Sequence, residues 1–274
     1  IVLGIIVIII MAICVFSIVE INPPTQSAGK SSLVKDISSL VKNKYYIMFL
    51  GEVFFLFLGY LSMYGAMQYY YTYIVGDVSG MSLALTLLTL LAIPTMILAA
   101  YLNGKGIAKI KLIQFGAIVD IIGYAILFFT SDGTIATAAL GLIGLGFGFR
   151  SSMFFSMMPD IFDYTEWQVG RNLGGTQNAI QGFVNKVSSA AASAIVSALL
   201  VWGNYDASKL DKAIADGVDI ATKYPQTHTA INFAFGGLAL VSTVMAVVVL
   251  LPYDLDKKDP QIRADLDKRH KENA

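Results

Sequence analysis

Charge is what this 274-residue chain lacks: only 14% of its residues are Asp, Glu, Lys or Arg, while 56% are hydrophobic. Soluble domains carry about a quarter charged residues, so the missing charge implies a missing aqueous surface and argues against a soluble globule. Disorder, which needs low hydrophobicity, is excluded with it. Nineteen basic and nineteen acidic residues cancel, which leaves no basic surplus to hold nucleic acid. The single cysteine, Cys14, sits in an apolar run and offers neither an intrachain disulfide nor a metal cluster. His228 and His270 are too few and too far apart for a zinc motif, so no metal site or catalytic centre is expected. Ile1 already lies inside an apolar stretch with no charged segment before it, unlike a signal or transit peptide. The expectation is a portion of a longer protein.

What is present is long apolar runs. A bilayer core needs about 20 apolar residues per helix, and about seven stretches qualify: Ile1 to Val19, Tyr46 to about Val75, about Met81 to Leu102, Ile110 to Thr130, Thr134 to Met158, about Asn178 to Trp202, and about Thr229 to Leu251. The expected fold is an all-α polytopic membrane protein. Lys30, Lys35, Lys42 and Lys44 follow the first span, Lys105 and Lys109 the third, Arg171 the fifth, and a basic tail the seventh. The intervening connections hold only Asp77, only Asp132, and a loop whose lysines are offset by aspartates. Basic loops lie on the cytoplasmic side, so the C-terminus is expected inside. Ser31 to Lys44 reads as an amphipathic helix capped by Ser31 or Ser32, with Leu33, Val34, Ile37, Leu40 and Val41 on one face. Leu210, Ile214 and Val218 repeat at four-residue spacing after a possible cap, Asp206.

Charge inside a membrane is costly and marks candidate sites. Glu52, Asp120, Arg150 and Lys186 fall within spans. Glu52 either snorkels or has a role; the roles of Asp120 and Arg150 stay open. Lys186 either pairs with Asp120 as a structural salt bridge or lines a water-filled cavity. The second reading is favoured because Asn178, Gly182, Lys186, Ser189 and Ser193 recur at helical spacing, and such a stripe needs a cavity or a helix opposite it. Asn185 adjoins it. Tyr60, Tyr64, Gln68 and Tyr71 form a second polar-aromatic face, either an interfacial belt or a surface suited to sugar rings. Between spans five and six, Asp160, Asp163 and Glu166 are three apart, followed by Arg171. No histidine accompanies them, so a charge cluster that locks onto basic loops is favoured over a metal site.

The run Pro159-Asp-Ile-Phe-Asp-Tyr-Thr-Glu-Trp-Gln-Val-Gly-Arg171, followed by Phe183-Val-Asn-Lys186, resembles the glycoside-pentoside-hexuronide cation symporters, the melibiose permease family of the major facilitator superfamily. The Tyr-Tyr-Tyr-Thr-Tyr-Ile-Val-Gly end of span two, the Lys42-Asn-Lys44 before it and Gly203-Asn-Tyr205 are similar as well. The resemblance implies that residues 1–19 are helix six of the parent fold, 20–45 its middle loop, 46–252 helices seven to twelve, and 253–274 a cytoplasmic tail. It implies a cation-coupled sugar symporter of the inner (plasma) membrane that works by alternating access. Lys186 then belongs to the sugar and coupling region, with Tyr60, Tyr64, Gln68, Asn178, Asn185 and Ser189 as further binding candidates. Asp160, Asp163, Glu166 and Arg171 become gate residues. The coupling cation, whether sodium, lithium or proton, is expected to bind mainly in an N-terminal half, which is the implied partner beside sugar and bilayer; no cofactor is implied. The rival readings are a carrier of lysolipid or another anionic solute on the same fold, and a seven-span receptor.

Overall fold

The computed structural model describes residues 2–17 and 33–272. They fall into two units, Ile1–Ser32 and Leu33–Ala274. The described part of the first is one apolar helix, α1 (Val2–Ser17). The expected continuation of this span to Val19, and the candidate caps Ser31 and Ser32, lie outside the described residues.

The second unit is helical throughout its described elements: α2 (Leu33–Lys42), α3 (Lys44–Tyr69, prolonged as a π-helix over Tyr70–Val75), α4 (Ser79–Gly104), α5 (Lys109–Phe129), α6 (Gly133–Val169), α7 (Gly174–Trp202), α8 (Ala207–Ala215), α9 (Ile220–Lys223), α10 (Pro225–Asn232), a π-turn Phe233–Gly237, α11 (Leu238–Leu250), and α12 (Asp259–Glu272). Among the described residues, six segments are long and apolar enough to cross a membrane: Lys44–Val75, Ser79–Gly104, Lys109–Phe129, Gly133–Val169, Gly174–Trp202 and Pro225–Lys257.

Three differences from the sequence reading bear on the site. Asn43 ends α2 and caps α3, its Oδ1 accepting from the amides of Tyr45 and Tyr46 at 3.0 and 3.1 Å. The amphipathic helix therefore stops at Lys42 and the next span begins at Lys44, two residues before Tyr46. Of its expected apolar face Leu40 is buried, whereas Val34, Ile37 and Val41 are exposed. The second difference is in α6, which continues past Met158 through Pro159 to Val169. A proline within a helix costs one backbone hydrogen bond and crowds the preceding turn, but here its ring is exposed and the helix runs on. The acidic run is thus the last turns of a span and not a connecting loop. The third is the tail, where α12 buries Ile262 and Leu266 in the same core cluster as Tyr45, Phe49, Phe154 and Ile161. Its charged sequence hid this packing.

Within the bundle, α6 packs between α4 and α5, α3 packs between α7 and α11, and α11 joins α5. Glycine permits the tightest of these contacts. A Cβ at Gly144 would collide with the Leu88 backbone of α4, and one at Gly146 with the Gly116 carbonyl and Asp120 carboxylate of α5. Helix α6 is accordingly the most enclosed span and α7 the least. At the end opposite α12, Asp206 caps α8 as its spacing suggested, and Leu210 is buried while Ile214 is exposed. Asp219 caps α9, and hydrogen bonds from Thr222 and the Ala221 amide hold its carboxyl below the usual carboxylate range.

Candidate functional site

Three of the four charges singled out within the apolar runs, Glu52, Asp120 and Arg150, converge. Arg150 of α6 donates from Nη2 to Glu52 Oε1 of α3 at 2.9 Å and from Nη1 to Asp120 Oδ2 of α5 at 3.0 Å. All three side chains are almost wholly buried, with relative exposures of 2%, 2% and 1% for Arg150, Glu52 and Asp120. Glu52 therefore does not snorkel, and Asp120 pairs with Arg150, which corrects the alternative of a Lys186–Asp120 bridge. Glu52 Oε2, Asp120 Oδ1 and Arg150 Nε are buried without a hydrogen-bond partner.

Lys186 has the opposite environment. It is exposed on α7 and makes no hydrogen bond or ion pair among the described residues. Helix α7 turns Gln177, Gln181, Ser188, Ala192 and Val196 inward. The expected stripe lies away from that face: Asn178, Gly182, Lys186 and Ser193 are exposed and Ser189 is half-buried. Asn185, one residue off the stripe, is half-buried with its Oδ1 unpartnered. On α3, Tyr60 and Tyr64 are half-buried and share a 3.0 Å hydroxyl hydrogen bond. The Tyr60 ring stacks on Phe147, with centroids 4.8 Å apart. Gln68 is exposed, whereas Tyr71 is buried, its hydroxyl 3.1 Å from Thr137 Oγ1. No hydrogen bond joins these tyrosines to Lys186 among the described residues.

The acidic group and Arg171 are divided among several partners. Asp160 is buried and takes Lys109 Nζ at 2.5 Å and Arg263 Nη2 of α12 at 2.8 Å. Asp163 lies 3.9 Å from Arg263, and Glu166 lies 2.7 Å from His270. Arg171 does not meet these acids; it pairs with Asp36 of α2. Trp167 Nε1 donates to Asp265, and Arg269 donates to the Trp167 carbonyl. Asp259 also bonds Arg263 and holds its guanidinium above its ordinary range. Beneath this layer Thr165 Oγ1 accepts from Asn43 and Gln177, each at 2.9 Å. The Lys109–Asp160 pair is the expected lock onto a basic loop, whereas the sequence reading missed Arg263 and His270 as partners. Their signal was faint, since both fall in the charged C-terminal segment, where a basic residue reads as a topology marker. A surface groove at the opposite end, lined by Tyr73, Gly76, Ser131, Val218 and His228 among others, includes none of the candidate residues.

A family model described as "MFS/sugar transport protein" matches residues 1–257. An isoprimeverose transporter of Lactiplantibacillus pentosus is 26% identical over 274 residues, covering 97% of this chain and 54% of the relative. The inner membrane symporter YicJ of Escherichia coli (strain K12) is 27% identical over 214 residues, covering 76% of this chain and 45% of the relative. The chain spans about half the length of the curated relatives it matches.

Proposed function

Because the chain belongs to the MFS/sugar transport protein family, a family of multi-pass membrane transporters and not of enzymes or receptors, we propose that it forms the C-terminal bundle of a cation-coupled sugar symporter. In this reading α1 is helix six of the parent fold, α3 to α11 supply helices seven to twelve, and an N-terminal half completes the carrier. The bundle lies in the inner (plasma) membrane with α12 on the cytoplasmic side, in line with the basic loops. Sugar and a coupling cation bind near the midplane, and the two bundles rock about that site.

One observation carries the reading: a polar stripe runs along the exposed side of α7, beside the exposed Phe183 and Val187. Asn178, Gly182, Lys186 and Ser193 lie there while the opposite face packs inward. A lysine and amide facing hydrocarbon would be costly, whereas a stripe that faces a water-filled cleft between bundles is solvated and able to donate to sugar hydroxyls. Lys186 lies about 18 Å along α7 from Gly174 at the standard rise, close to the helix middle. Tyr60 and Tyr64 would add aromatic surface for a sugar ring. Asp160, Asp163, Glu166 and Arg171 would act at the inner gate. Lysolipid or another anionic solute would also favour a lysine, but both curated relatives are transporters and one is named for a sugar. Isoprimeverose is therefore the first substrate to assay. Uptake of labelled isoprimeverose by the intact transporter should exceed that of a lysolipid, and should depend on Lys186. Lysolipid uptake without sugar uptake would overturn the sugar reading.

A further inference from the structure

We propose that the Glu52–Arg150–Asp120 cluster is a proton-binding site within this bundle, holding one proton shared between its two carboxyl groups. The argument starts from charge. One guanidinium faces two carboxylates across 2.9 and 3.0 Å, so with every group ionised the cluster carries a net charge of −1 in a site that is nearly solvent-free. An uncompensated buried charge is the least tolerated state of such a group. A proton from water converts one carboxylate to a neutral acid and brings the cluster to zero.

The neighbours supply no other compensation. Helix α3 brings Glu52, with Tyr60 and Tyr64 further along; α5 brings Asp120 and Tyr124; α6 brings Arg150. Helix α4 contains no titratable side chain but the exposed Tyr101, α11 contains none, and Lys186 of α7 is exposed. The hydrogen bonds point the same way. Each carboxyl accepts one bond from Arg150, and its second oxygen, Glu52 Oε2 or Asp120 Oδ1, has no partner. A buried ionised carboxylate ordinarily collects several donors, and the unpartnered oxygens are where the proton resides. A metal cation would require several oxygen ligands, and no group of three or more Asp, Glu, His or Cys side chains among the described residues could hold one. Because the two carboxyls share one guanidinium, the proton belongs to the pair. This site is independent of the sugar reading.

The test uses the intact protein in lipid nanodiscs, read by infrared spectroscopy and by thermal unfolding against pH. At neutral pH the wild type should show the carbonyl stretch of a protonated carboxylic acid, shifting in heavy water. Glu52→Gln and Asp120→Asn should each abolish it while the fold persists, since either leaves one carboxylate against one guanidinium. Glu52→Asp should keep a band. The double variant Glu52→Gln with Asp120→Asn should unfold at a clearly lower temperature, because Arg150 is left unpaired. Unfolding releases the held proton, so wild-type stability should fall as pH rises through the cluster's titration, and the single amide variants should lack that dependence. Absence of the band at neutral pH overturns the proposal, as does its survival in both single variants. Stabilisation of the wild type by sodium or potassium, lost in the single variants, would also overturn it in favour of a metal ion.

Discussion

Arg150 and Lys186 are both cations within membrane-spanning helices, and the structure treats them in opposite ways. Arg150 stands on the most enclosed span and is bound by two carboxylates; Lys186 stands on the least enclosed span and meets no partner among the described residues. The difference follows from what surrounds each helix. Gly144 and Gly148 draw α4 against one side of α6, and Gly146 draws α5 against another. Helix α7 packs chiefly on α3 and leaves its polar stripe open. A paired buried cation holds helices in register, whereas an unpaired one on an open face is available to a ligand or to another bundle.

Removing Arg150 should break the comparison most violently. Arg150→Met leaves two carboxyls without their common partner, and breaking a buried pair in this way costs about 3–5 kcal/mol. A large drop in unfolding temperature and in membrane expression is expected. Gly146→Ala should come next. Its new methyl would overlap Asp120 Oδ1 and approach the Gly116 carbonyl to 2.5 Å, and overpacking of this kind costs about 1–3 kcal/mol. Gly65→Ala is the control, because nothing lies near its Cβ position. Thermal unfolding in nanodiscs ranks all three.

Smaller effects are expected at the α12 end. Arg263→Ala removes pairs with Asp160 and Asp163, but its side chain is half exposed, so the cost should stay below about 1 kcal/mol. Lys109 still covers Asp160. Hydrogen exchange should quicken in α12 and stay unchanged in α5. Lys186→Ala should be the smallest, within about 0.5 kcal/mol of wild type as for exposed positions generally. The proposed function predicts that this same variant fails to accumulate sugar in the intact transporter. Its stability and uptake, measured together, thus sharpen the contrast with Arg150.

Much of this contrast was legible in the sequence, and the remainder was not for definable reasons. Composition and run length gave the spans, because burial in lipid imposes length and apolarity on each helix separately. The stripe on α7 was legible because its members share one helix, whose 3.6-residue period is fixed. The triad was not: Glu52, Asp120 and Arg150 each stood out, but the rotation of α3, α5 and α6 relative to one another is set by packing between helices. Gly116 and Gly146, the contact that brings α5 to α6, lie 30 residues apart. The end of α6 was misplaced because apolarity stops at Met158, while the helix runs on through the charged turn that carries Asp160, Asp163 and Glu166. Helix α12 was read as tail because Ile262 and Leu266 are diluted by charged residues, and their burial depends on a partner surface far away in sequence.

The central claim is that the open polar face of α7 borders water inside an assembled carrier. In the intact transporter, with its native cysteines including Cys14 replaced by serine, single cysteines at Asn178, Gly182, Lys186 and Ser193 should react with a membrane-impermeant thiol reagent. Cysteines at Gln177, Gln181 and Ser188, on the inward face, should not, and transported sugar should slow the reaction at Lys186. Reaction of the first set only with a lipid-soluble reagent, with no effect of sugar, would place the stripe against lipid and contradict the account.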